Sequence, residues 1–296
     1  MINGRNERIV HIMIVNMNEM LTRAKKEHYA VGAFNFNEFS DLKGIVAAAV
    51  NSNSPVILMA SSGTLEFFGV REAAYAFKGM CENVDVPCAL HLDHAKEIGL
   101  VKECLEAGFT SVMIDASTKS FDENIEITKR VADLAKKYGA STEAELGTVP
   151  GKEDNIDGKL MEFVDPGQVC EFIAKTGIDA LAVGIGTVHG FYKKEPNLQF
   201  DLIKEVAALT DVPLVMHGGT GLSEDDFKKV VACGIKKINV GTEIRHAFAL
   251  QLYKSSNEYY SDNMDPRNIL LPVRKVCEEI VTGKMRIFGC SGKAGT

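Results

Sequence analysis

Eight short apolar runs, each followed by a stretch with helical spacing, constrain this chain more than any other feature. The runs are Tyr29 to Asn35, Pro55 to Ala60, Ala89 to Leu92, Ser111 to Ile114, Ser141 to Leu146, Ala180 to Val183, Pro213 to Met216 and Lys237 to Val240. Strands buried on both faces read as such continuous runs, whereas a sheet with one wet face alternates. Helical faces fall between them: Leu42, Ile45, Val46 and Ala49; Arg71 to Cys81; Lys96 to Ala107; Ile127, Val131, Leu134 and Ala135; Pro166 to Lys175; Leu202, Val206 and Leu209; Phe227, Val230 and Val231. Eight strand–helix units predict a closed (β/α)8 barrel of the TIM type. A doubly wound open sheet would show fewer strands and a G-x-G-x-x-G near its start, which is absent. Before the first strand, Met17, Met20, Leu21 and Ala24 lie at i, i+3, i+4, i+7 behind a capping pair, Asn16 and Glu19. That helix is placed to plug the bottom of the barrel. Two further helices, about Ile244 to Ser256 and Pro266 to Thr282, close the chain.

With 296 residues, 46% of them hydrophobic and 25% charged, the composition is that of an ordinary globular protein. No linker or low-complexity stretch divides it, so residues 1–296 read as one domain, with 1–12 an extension and Met13 a natural start. The net charge of −7 argues against a nucleic-acid or anionic-membrane partner. No apolar run reaches membrane-spanning length, and no signal-peptide cleavage pattern follows the run from Ile9. The seven cysteines are scattered and contain no C-x-x-C pair, which fits free thiols in a reducing, cytoplasmic setting.

The chemistry-bearing residues gather where strands end. Ala89-Leu90-His91-Leu92 runs out into Asp93-His94, and His189 and His217 follow other apolar runs or their glycine edges, each followed at once by glycine. One such histidine alone would more often be a hydrogen-bonded packing residue. Three of the chain's seven in the same setting are hard to explain that way. Three neutral imidazoles with an open fourth position describe a catalytic zinc site. Asp93 beside His94 is then a candidate acid/base, or else a carboxylate that orients the histidine. Asn35, Ser61, Asp115, Glu145 and Asn239 stand at strand ends too, and Glu143 shares the face of Glu145 by the period of two. Gly218-Gly219-Thr220-Gly221 and Asn239-Val240-Gly241-Thr242 follow strands seven and eight, where barrels often hold phosphate on backbone N–H groups. Pro150 to Lys159 is an acidic, glycine-bearing loop expected to move.

These motifs, together with Ser111-Val112-Met113-Ile114-Asp115, Glu143-Ala144-Glu145-Leu146-Gly147 and Gly186-Thr187-Val188-His189-Gly190, resemble the successive signatures of the class II, metal-dependent ketose-bisphosphate aldolases, from about Met13 to Ala294. The resemblance implies a homodimeric or homotetrameric lyase that cleaves fructose 1,6-bisphosphate or tagatose 1,6-bisphosphate. It implies that His94, His189 and His217 bind catalytic zinc, and that Asp115 and Glu145 match a secondary position for a divalent ion. Asp93 matches the group that moves the C4 hydroxyl proton, and Glu153 the loop carboxylate that moves a proton on the dihydroxyacetone phosphate carbon. Gly190, Gly218, Gly219, Thr220, Asn239, Val240, Gly241 and Thr242 match the pocket for that phosphate, which in the family often also holds Na+ or K+. Asn35 and Ser61 match residues near the substrate, and Arg267 an arginine that reaches the distal phosphate, across a subunit interface in some arrangements.

The chain departs from the family's usual pattern at three places. Gly219-Thr220 stands where Ala-Ser is common, Pro150 where the loop often has glycine, and Gly241 where a side chain is usual, which leaves the C4 epimer open. A Schiff-base aldolase would need a desolvated lysine at a strand end. Lys96, Lys119 and Lys193 are expected in loops or helices, and no strand exits in lysine. A silent barrel that only binds sugar phosphate would not need the full set of ligands and acid/base groups.

Overall fold

The computed structural model describes residues 13–151, 160–192, 195–260 and 265–295. The expected extension 1–12, Glu153 and Lys193 lie outside the described residues. In chain order the elements are α1 (Met17–Glu27), β1 (Val31–Asn35), α2 (Phe39–Asn51), β2 (Val56–Ser61), α3 (Ser62–Phe68), α4 (Val70–Cys81), β3 (Cys88–Ala95), α5 (Ile98–Ala107), β4 (Ser111–Ile114) and α6 (Phe121–Lys137). They continue with β5 (Ser141–Leu146), α7 (Pro166–Thr176), β6 (Ala180–Val183), α8 (Phe200–Leu209), β7 (Leu214–Met216), α9 (Glu224–Cys233), β8 (Ile235–Val240), α10 (Thr242–Glu258) and α11 (Pro266–Phe288). The strands pair in sequence order, all parallel, and β8 closes back onto β1. Every strand residue is buried, as expected of a sheet covered by helices outside and filled by side chains inside.

The helix starts follow local chemistry. Ser120 and Ser223 each accept from the backbone N–H three residues on, while Glu123 and Asp226 reach back to them, so α6 and α9 open on full capping boxes. At α1, Asn16 accepts from Glu19 N, and Met17, Met20, Leu21 and Ala24 are buried. Met17 N donates to Ser141 Oγ at 3.1 Å, and Ser111 Oγ lies 3.7 Å from Met17 Sδ. Both serines begin their strands, so α1 closes the bottom of the barrel and leaves the strands' C-terminal ends as its mouth.

Three details differ from the sequence reading. α3 is an additional helix, started by Ser61. α11 runs on to Phe288 instead of stopping near Thr282. And β3 does not end at Leu92: it continues through Asp93 and His94 to Ala95, with a register shift between Leu92 and Ala95 against β4. His94 takes φ +49, a left-handed conformation inside a strand. This bulge turns its ring toward the barrel axis. All seven cysteines are free thiols. Among the described residues no helix is long and apolar enough to cross a membrane.

Candidate active site at the barrel mouth

The bulge at His94, the turn after β7 and the loop after β6 bring three imidazoles together. Ring centroids lie 4.5 Å apart for His94 and His217, 5.1 Å for His94 and His189, and 6.0 Å for His189 and His217. One ring nitrogen from each falls within 4.8 Å of the others. The hydrogen-bond partners decide the tautomers. His217 Nε2 stands 2.7 Å from Glu143 Oε1, and His94 Nδ1 stands 3.2 Å from Asp115 Oδ2. A carboxylate accepts, so each ring spends its one N–H there. The remaining nitrogens, His217 Nδ1 and His94 Nε2, face each other at 2.6 Å. Burial, with His94 beside it, pushes His217 down to about 3, which keeps the ring neutral and basic toward a metal. Three imidazole nitrogens so gathered are the donor set of zinc. Asp115 and Glu145 form a second group with His94 within the same span, able to hold a divalent ion.

Asp93, 1% exposed, lies on the same strand as His94. Asn35 Nδ2 donates to its Oδ2 at 2.9 Å, and Asn239 Nδ2 to its Oδ1 at 3.3 Å. The carboxylate is therefore gripped from both sides, by the ends of β1 and β8. Beneath this layer lies a polar tier that the sequence reading missed. Lys237, 0% exposed, reaches Glu143 Oε2 at 2.9 Å as an ion pair, though not along the line of a hydrogen bond. It also donates to Asn239 Oδ1 at 2.7 Å. Burial alone would raise the Glu143 carboxyl; the ammonium and the His217 N–H outweigh it and hold it below the usual carboxylate range. Burial and Lys237 in turn hold His91 well below its ordinary range, and His91 Nδ1 sits 2.6 Å from Ser111 Oγ. Breaking such a buried pair by deleting one partner costs about 3–5 kcal/mol.

The glycine loops work through backbone. Gly218 has φ +73, and a Cβ there would lie 2.5 Å from Val188 O, so only glycine lets the turn after β7 lie against the loop after β6. Tyr192 braces both loops: its hydroxyl accepts from Val188 N at 3.3 Å and donates to Gly218 O at 2.9 Å, and burial pushes it up to about 12. No sequence signal singled it out. Thr220 is buried beside them, and Gly190 has φ +89 at the rim. Val240 is a fully buried core side chain, so only its backbone can face a ligand. Gly241 precedes α10, whose N-terminus carries no side-chain cap and starts at Thr242. A Cβ on Gly241 would lie 2.5 Å from Asn35 Oδ1.

The acidic loop after β5 begins against the site. His189 N donates to Pro150 O at 2.7 Å, and Gly151 bridges His189. Thr148 pairs antiparallel with Glu162 on the returning leg. Ser61 lies in register with Asp93 but spends its hydroxyl capping α3, 3.3 Å from Thr64 N. Arg267 is not drawn into the cluster. Its side chain is 89% exposed at the start of α11 and pairs with Asp265 at 2.6 Å.

Comparison with known proteins agrees with this geometry. Residues 15–293 match the family model described as fructose-bisphosphate aldolase class-II. The chain belongs to the class II fructose-bisphosphate aldolase family. It is 44% identical over 288 residues to a fructose-bisphosphate aldolase of Geobacillus stearothermophilus, across 95% of this chain and 99% of that one. A fructose-bisphosphate aldolase of Staphylococcus epidermidis is 43% identical across the same shares. The crystal structure of the YdjI aldolase from Escherichia coli K12 superposes with a TM-score of 0.85 at 32% identity, covering 95% of this chain and all of that one. The barrel is thus that of a class II aldolase, a lyase, and metal dependence comes with the family.

Proposed function

We propose that this class II aldolase uses zinc to cleave fructose 1,6-bisphosphate reversibly to dihydroxyacetone phosphate and glyceraldehyde 3-phosphate. The observation that carries the reading is the pair of facing imidazole nitrogens on His94 and His217, with His189 within reach of the same ion and Asp93 on the adjoining strand position. Zinc, when bound by these three, supplies Lewis-acid polarisation of a ketose oxygen. Asp93 takes the proton from the C4 hydroxyl oxygen in cleavage and returns it to the aldehyde oxygen in condensation. Asn35 and Asn239 hold its carboxylate against rotation while it does so. Glu153 moves the proton at the dihydroxyacetone phosphate carbon.

Gly218 to Thr220 and the uncapped start of α10 offer backbone N–H groups to the phosphate nearer the ketone, and the helix dipole favours that charge. A monovalent cation, Na+ or K+, would share this pocket; Thr187 Oγ1, buried with no hydrogen-bond partner among the described residues, is an oxygen at hand. Asp115 and Glu145 would take a second divalent ion with His94. Arg267 would reach the distal phosphate of a neighbouring subunit by giving up Asp265. Exposed Leu250 and Tyr253 on α10, with Leu271 on α11, support a homodimer or homotetramer. The free thiols support a cytoplasmic setting.

Tagatose 1,6-bisphosphate is the second reading. It is favoured by Gly241, which leaves the C4 region without a side chain beside Asn35. A coupled assay with both bisphosphates, with and without a strong chelator, tests both. Fructose 1,6-bisphosphate should turn over faster, chelation should abolish turnover, and zinc should restore it. Full activity in the chelated protein, or trapping of substrate by borohydride, would sink the zinc reading.

A further inference from the structure

We infer that Lys237 is a positioning residue that ties the metal-facing histidine His217 and the proton-transfer group Asp93 into one buried unit. Lys237 and Asn239 are two residues apart on β8, so both point into the barrel. A lysine ammonium only donates and a carboxylate only accepts. Lys237 Nζ at 2.7 Å from Asn239 Oδ1 therefore settles which end of that amide is oxygen. The NH2 end is left facing Asp93 Oδ1 at 3.3 Å. Were the amide turned over, its oxygen would face the Asp93 carboxylate, two acceptors with no proton between them.

The other arm of the same ammonium reaches Glu143 Oε2 at 2.9 Å. That leaves Glu143 Oε1 to accept from His217 Nε2 at 2.7 Å and so keeps the His217 lone pair on Nδ1. Asn239 Nδ2 also lies 3.3 Å from His217 Nε2, but both are then donors, and the shorter Glu143 bond prevails. One cation thus sets the tautomer of a metal ligand and the amide that grips the acid/base. A lysine so engaged does not attack a ketone; its place is below the reacting atoms, not among them. The bland alternative is that Lys237 merely neutralises Glu143 in the core.

The inference rests on the roles proposed for His217 and Asp93, and the test separates its failure from theirs. Lys237→Met and Lys237→Met/Glu143→Gln are compared with the wild type for zinc affinity, by competition with a fluorescent chelator, and for kcat and KM at saturating zinc. The double variant leaves no unpaired buried charge and carries the kcat measurement if the single variant does not fold. Lys237→Met should weaken zinc binding by ~10–100-fold, the usual scale for groups behind a metal ligand. In both variants kcat should stay about tenfold low when zinc is saturating, with KM little changed, because the Asn239 grip on Asp93 is loosened independently of the metal. Wild-type values for both quantities would overturn the inference. So would a loss of zinc affinity with kcat fully recovered at saturation, since the arm through Asn239 would then do nothing. A wild-type protein without zinc-dependent turnover would instead overturn the roles of His217 and Asp93.

Discussion

On the side of the barrel mouth formed by β3, β4, β5 and β7, side chains converge: His94, His217, Glu143 and Asp115 meet at hydrogen-bond distances and are buried. Around the turns after β6, β7 and β8, glycines clear side chains away so that peptide groups face the opening. The two regions are built on opposite plans and should break in opposite ways. Deleting a group damages the first, because a partner is left buried and unsatisfied. Adding a methyl damages the second, because the backbone can no longer approach. On the function proposed above, the difference also separates chemistry from binding: metal and protons fall to the side-chain region, and charge on phosphate to the backbone region.

The largest effect expected from a substitution is at Asp93. Asp93→Ala should lower kcat by ~10²–10⁴-fold, the scale of general acid–base catalysis, while zinc content stays near wild type. It should still exchange the carbon-bound proton of dihydroxyacetone phosphate with deuterated water, whereas Glu153→Ala should not. NMR of both variants decides; exchange at the wild-type rate in Glu153→Ala would take that role from Glu153, and Glu143, buried against Lys237 and His217, is not placed to inherit it. Next comes Gly241→Ala, a backbone-region change that reaches into the side-chain region. Its Cβ would press on Asn35 Oδ1 at 2.5 Å and disturb the grip on Asp93. A displacement of this kind can cost about 10²-fold, and it should appear in kcat. Gly218→Ala makes the contrast: strained at φ +73 and pressed on Val188 O, it should raise KM about tenfold, the worth of one hydrogen bond to a charged group, with zinc retained. If both glycine variants acted on the same constant, the two-plan description would fail.

A different readout, stability, completes the comparison. His91 and His217 are held below the ordinary histidine value of 6.5 when folded. Below pH 6.5 the unfolded chain therefore takes up protons that the folded chain does not. Stability of the metal-free protein should fall as pH drops from 6.5 to 5, by about 1.4 kcal/mol per pH unit for each histidine. Urea midpoints across that range measure it. A flat response would mean that the rings are already charged in the folded state.

Much of this was legible because burial on both sheet faces writes a strand as an unbroken apolar run, and because function in a barrel sits where those runs stop. The eight strands, the N-terminal plug and the three histidines follow from that rule. What escaped it lies inside the strands. The eighth run reads from Lys237 with no role for that lysine, yet β8 starts at Ile235 and Lys237 is wholly buried. Its partner Glu143 comes from β5, and no local pattern announces a pair so far apart in the chain. The continuation of β3 through His94 escaped as well, because a bulge is set by neighbouring strands and leaves no composition signal of its own. Arg267 shows the reverse limit: a matching motif places a residue in sequence, but among the described residues of one chain its side chain pairs with Asp265, away from the site.

The left-handed turn at His94 has a consequence for how such a protein evolves under heat. An L-residue there pays ~1–2 kcal/mol that asparagine or glycine largely avoids. His94→Asn would relieve that backbone cost but take the ring N–H away from the buried Asp115 carboxylate. Under heat the position sets a backbone that favours change against a buried carboxylate that resists it, so durability alone does not decide which residue stands there.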